Sequence, residues 1–69
     1  MIKSYLDEYN EEFDNTIKPD SFIESLHFLT LVYRTISDYE IDAIKQFCTI
    51  YSLRYTLSNS HNEIFYTIK

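Results

Sequence analysis

Glycine is absent from all 69 residues, and that absence excludes more chemistry than any residue present can suggest. Loops that cradle phosphates use glycine for positive φ and for close approach of the backbone to the ligand. A dinucleotide-binding turn, a Walker loop and an EF-hand are therefore excluded at the level of motif. Turns fall instead to Asn, Asp and Ser, the next most tolerant residues. Cysteine occurs once, at Cys48, so no disulfide forms within the chain, and a lone thiol fits a reducing interior. The most apolar stretch, Phe22 to Ile36, is interrupted by Glu24, His27 and Arg34, so nothing in the sequence reads as a membrane span. Met1-Ile2-Lys3-Ser4 runs directly into polar and acidic residues without the apolar region of a signal peptide. The expected location is cytoplasmic, and the host cytoplasm if the source is viral.

What is present points to a folded globule. Hydrophobic residues make up 45% of the chain, with seven Tyr and five Phe, well outside the range of disordered tails. The length allows one domain, residues 1–69, and a chain this short buries only about 60% of its unfolded surface. Disulfides, metals or a second chain usually support such small cores. With the first excluded and the second unsupported by ligand spacing, self-association as a homodimer is expected. Eleven acids against six bases leave a net charge of −5. That field opposes direct binding of nucleic acid or anionic membrane and suits a basic partner.

Residues from Ser4 to about Asn15 read as a helix. Ser4 stands at the N-cap position, and Ile2, Leu6, Tyr9 and Phe13 recur at helical spacing on one face with Tyr5. Asp7, Glu8, Glu11, Glu12 and Asp14 occupy the rest of the circumference, and like charges at i,i+4 cost a few tenths of a kcal/mol per pair. Pro19, the only proline, ends helical continuity at Lys18. Ser21 to Ile36 supports two readings. Ser21 and Glu24 form a capping box ahead of helically spaced Phe22, Leu26, Leu29, Tyr33 and Ile36. Thr30, Val32, Tyr33 and Thr35 favour a strand over 28–35, and the two combine as helix then strand, with a short turn at Ser21 to Leu26. The strand is the preferred reading.

Ser37-Asp38-Tyr39-Glu40 is a second capping box, and behind it Ile41, Ala43, Ile44, Phe47, Cys48, Ile50 and Tyr51 cover half the wheel of a helix over 38–52. A β-hairpin closes the chain, its strands at 53–57 and 64–68 and its linker at Ser58 to Glu63. Leu53, Tyr55 and Leu57 share a face with Ile64, Tyr66 and Ile68, while Phe65 points the other way with Arg54, Thr56 and Thr67. The expected fold is α+β: an N-terminal helix, then β-α-β-β with a three-stranded antiparallel sheet packed on the 38–52 helix and the last strand in the middle. The alternative is three helices and a C-terminal hairpin.

No constellation carries catalysis. Cys48 lies on the apolar stripe of the best helix, where cysteine is an inert small hydrophobe. His27 and His61 each have at most one acid at ligand spacing, Glu24 and Glu63, too few for a metal. The carboxylates of the first helix are numerous but solvated, and acid–base work needs one desolvated group in a cleft. No enzyme activity, cofactor or metal is expected. Arg34, Arg54 and Lys69 can gather beside Phe65 on the sheet, a thin outline of a stacking platform. The row of carboxylates from Asp7 to Asp14 fits the inverse task, since closely spaced negative charges imitate phosphates and can occupy a basic groove.

In size and composition over the whole chain, the protein resembles small acidic bacteriophage proteins that seize host machinery, among them anti-CRISPR proteins, uracil-DNA glycosylase inhibitors and sliding-clamp inhibitors. The resemblance implies an inhibitor encoded by a phage or mobile element, acting on a host protein with a basic nucleic-acid-binding surface. Asp7, Glu8, Glu11, Glu12 and Asp14 would supply the charge, and Tyr5, Tyr9, Phe13 and Tyr39 the aromatic anchors. The runner-up expectation is a small dimeric regulatory module, such as an antitoxin or a winged-helix-like transcription-associated protein.

Overall fold

The structure, a computed structural model, describes residues 2–69. Its elements are α1 (Ile2–Glu12), β1 (Ser21–Glu24), β2 (Leu29–Tyr33), α2 (Asp38–Ile50), β3 (Tyr55–Ser60) and β4 (Glu63–Ile68). The strands form one antiparallel sheet in the order β1-β2-β4-β3. The class is α+β as expected, with the last strand between β2 and β3, but the sheet has four strands where three were expected. The added strand is β1, at the residues read above as a capping box or short turn; the three-helix alternative does not form. Phe22 and Ile23 suit a pleated surface, and β2 offers them a hairpin partner in the register Phe22↔Leu31, Ile23↔Thr30.

The chain repeats one unit twice: helix, edge strand, central strand. Alternation along the strands puts Leu29, Leu31 and Tyr33 on the same sheet face as Ile64, Tyr66 and Ile68. Both helices cover that face, where Leu6, Tyr9, Ala43, Ile44, Phe47 and Cys48 complete one buried cluster. The opposite face carries Thr30, Val32, Phe65 and Thr67 and has no helix over it. Thr30 and Val32 are nevertheless buried, as short side chains on a central strand flanked in register by Ile23 and Phe65.

Helix α2 is specified locally. Ser37 Oγ accepts from the Glu40 N–H at 3.2 Å, and Asp38 and Glu40 sit in the first turn, where the helix dipole favours acids. The capping box is only half made, because the Glu40 carboxylate accepts from the Lys18 N–H at 3.1 Å instead of turning back to Ser37. Helix α1 begins before Ser4, which lies inside it and caps nothing. It ends at Glu12, earlier than expected, and Asp14 and Asn15 follow with φ of 58° and 53°. The Asn10 side chain then ties the returning chain to the helix, donating to Ile17 C=O at 2.8 Å and accepting from Ile17 N–H at 2.9 Å.

The C-terminal hairpin is tighter than the sequence implied. Ser58, Asn59 and Ser60 remain paired with β4, and the turn is only His61-Asn62. Both turn residues have positive φ, 51° and 64°, the backbone of a type I′ turn, whose twist matches the flanking strands. In a chain without glycine, His and Asn carry this conformation, and Ser52 carries another left-handed position after α2.

Candidate partner-binding surface

The nine residues expected to bind a partner separate on folding. Tyr9 is only 2% exposed. Its ring stacks on Phe13 at 4.5 Å and meets the edge of Phe47 at 5.6 Å. Its hydroxyl donates to Gln46 Oε1 at 2.6 Å. Burial, then Tyr39, raises its pKa. Tyr9 therefore holds α1 to α2 and is not available as an anchor. Phe13 is half-buried against the core. Tyr5 stacks on Tyr51 at 4.8 Å and keeps one side in solvent. Tyr39 alone stands free, 73% exposed at the start of α2.

The acids divide in a similar way. Asp7, Glu8, Glu11 and Glu12 are exposed on α1, whereas Asp14 lies past the helix end at a left-handed position, so the row of five is four on a helix and one on the turn. Among the described residues one ion pair forms, Lys3–Asp7 at 3.9 Å. Lys3 also lies over the Phe22 ring at 4.7 Å. Glu8, Glu11, Glu12 and Asp14 thus face solvent without an ion-pair partner among the described residues.

The two helices leave a groove between them of about 560 Å³. Glu12, Asp14 and Asp42 supply carboxylates to it, Phe13 and Tyr39 aromatic surface, and Tyr9, Ala43 and Gln46 further lining. No basic side chain lines it. Asp42 and Gln46, which lie among the apolar positions of α2 without sharing their character, were not among the residues expected to bind, yet both line this groove. Their helical period is visible in the sequence, but their meeting with the end of α1 is not.

Cys48 and Tyr33 lie outside this groove. Burial pushes the Cys48 thiol up to about 11, so it is protonated near neutrality. The Tyr33 hydroxyl is buried without a hydrogen-bond partner; burial first, and the Glu40 carboxylate second, raise its pKa. No group of three or more His, Cys, Asp or Glu that could hold a metal occurs among the described residues. No helix among them is long and apolar enough to cross a membrane. On the uncovered sheet face, the backbones of Arg54 and Lys69 exchange hydrogen bonds beyond one end of β3 and β4. Arg34 follows the opposite end of β2, so the three bases do not converge beside Phe65.

Comparison of the chain with protein-family models, with curated proteins and with solved structures finds no match.

Proposed function

We propose that the protein is a small acidic inhibitor, encoded by a phage or mobile element, that occupies a basic nucleic-acid-binding surface of a host protein. One observation carries this reading: a set of exposed carboxylates without ion-pair partners among the described residues, Glu8, Glu11, Glu12 and Asp14, continues across the interhelical groove to Asp42. A lysine or arginine of the target would lay its apolar stem along Phe13 and Tyr39 and its charge among Glu12, Asp14 and Asp42, combining cation–π and ionic attraction. Tyr5 adds aromatic surface at the other end of α1, while Tyr9 acts from inside by holding the two helices in register. The three-helix alternative that suited a winged-helix regulator does not form, because Ser21–Glu24 is a strand.

The test is affinity capture from a bacterial lysate at low and high salt, with mass spectrometry of what is retained. Binding of a basic nucleic-acid-handling protein should weaken about tenfold or more as salt screens exposed charges. Reversal of Asp7, Glu8, Glu11, Glu12 and Asp14 to Lys should abolish it. Capture indifferent to salt, or surviving that reversal, would sink the reading.

A further inference from the structure

The sheet has two edges, and they are not equally defended. Strand β1 is four residues long, follows Pro19, ends in Glu24 and has Lys3 over Phe22. Short length, charge and nearby proline are the usual means of keeping an edge from pairing with another chain. Strand β3 has none of them. It runs six residues, Tyr55-Thr56-Leu57-Ser58-Asn59-Ser60, in unbroken register with β4 and without a charged side chain. Leu57, which occupies in the second unit the place of Phe22 in the first, is 52% exposed on the helix-bearing face.

The hydrogen-bond phase of β3 shows which groups its edge offers. Arg54 N–H donates to Lys69 C=O at 3.1 Å and Lys69 N–H to Arg54 C=O at 2.8 Å. Opposed residues in an antiparallel ladder alternate between bonded and non-bonded pairs. Thr56, Ser58 and Ser60 therefore turn their backbone groups toward β4, and Tyr55, Leu57 and Asn59 turn theirs outward.

We propose that this edge pairs with β3 of a second copy, antiparallel about Leu57, joining two sheets into one. The register is fixed twice over. Pairing Leu57 with Leu57 and Tyr55 with Asn59 brings the outward-facing backbone groups together, giving about six new hydrogen bonds. The same register keeps the helices of both copies on one face, with the two exposed leucines in contact. On the uncovered face it sets Arg54 opposite Ser60 of the second copy. Glu63 of that copy lies one strand further, roughly 10 Å away between backbones, within the combined reach of the two side chains.

Charge decides the occupant. Two molecules of net charge −5 meet most easily along an uncharged strip flanked by an arginine at one end and a glutamate at the other. A basic partner selected by carboxylates finds none on β3. The inference stands apart from the function proposed above, because β3 bears none of the acids invoked there.

Sedimentation velocity over about two decades of concentration, with amide hydrogen exchange at both ends of that range, tests it. The wild-type chain should pass from monomer to dimer. The amides of Tyr55, Leu57 and Asn59 should gain protection as it does, while those of Thr56, Ser58 and Ser60 are protected throughout. Leu57→Lys should weaken association about tenfold or more, and Phe22→Lys on the defended edge should leave it unchanged. Arg54→Glu should weaken association with β3 otherwise intact, and Arg54→Glu with Glu63→Arg should restore it. A monomer at every concentration, or a dimer indifferent to Leu57→Lys and Arg54→Glu with no alternation in β3 protection, would overturn the proposal.

Discussion

The two helix–strand–strand units of this protein share a topology and differ in what stabilises their helices. Helix α2 in the second unit carries its own instructions: a Ser37 cap, acids at the favourable end, and a broad apolar face centred on Ile44 and Phe47. Helix α1 in the first unit has no acid in its first turn, no base in its last, and acids at the end where the dipole is negative. It is held by what it touches: Leu6 in the core, Tyr9 against Phe47 and Gln46, Tyr5 against Tyr51. Among the described residues, Asp7 alone of the exposed acids of α1 has an ion-pair partner, Lys3 one turn earlier; Glu11 and Glu12 sit at the end where the dipole disfavours them. That separates the acidic surface from the framework beneath it.

The largest test of this contrast is Phe47→Ala. It empties the position where α1, α2 and the sheet meet, at a cost of about 3–5 kcal/mol. In a small domain this is enough to abolish folding or to lower the urea midpoint severely, and α1 should be lost with it because its Tyr9 ring packs on Phe47. A variant that unfolds α2 but leaves α1 helical by circular dichroism would break the comparison.

Alkaline pH comes next and acts on both units. Tyr33 in the first and Cys48 in the second are buried groups with raised pKa values, Cys48 to about 11 from an ordinary 9.0. The unfolded chain releases these protons at lower pH than the folded one, so stability is full below about pH 8 and declines above about pH 9. The slope approaches about 1.4 kcal/mol per pH unit for each group over the range where only the unfolded form has ionised. Urea unfolding as a function of pH should show this decline, and Cys48→Ala should flatten its part beginning near pH 9. A stability curve level to pH 11 would show that neither group is protected by the fold.

The smallest test sets two serines against each other. Ser37→Ala removes a cap and should cost about 1 kcal/mol. Ser4→Ala, inside α1 and exposed, should cost nothing and gain a few tenths through helix propensity. Thermal midpoints of the two variants give the answer directly; equal losses would mean that Ser4 caps after all.

Legibility follows the same division. The α2 pattern and the face alternation of the C-terminal hairpin were readable because each repeats a local period over a full element. The hairpin turn was not, since Ser58, Asn59 and Ser60 look like linker residues until β4 holds them in register. Tyr9 was readable as part of an apolar stripe but not as a buried strut, because its hydroxyl partner, Gln46, lies 37 positions away. The groove residues Asp42 and Gln46 were hidden for the same reason.

Two short segments state the limit most clearly. Ser21-Phe22-Ile23-Glu24 and Ser37-Asp38-Tyr39-Glu40 match the same capping pattern. The second starts a helix, because a long run of residues with helical period follows it. The first becomes an edge strand, because only a brief stretch separates it from β2, whose backbone offers it hydrogen bonds. By itself the sequence determined the class of fold, the helix α2, the faces of β3 and β4, and the acidic sign of the surface, all of which rest on local period or total charge. Tertiary structure alone decided the fourth strand, the burial of Tyr9, the groove between the helices and the bare edge at β3, since each depends on which distant backbone or side chain arrives to complete it.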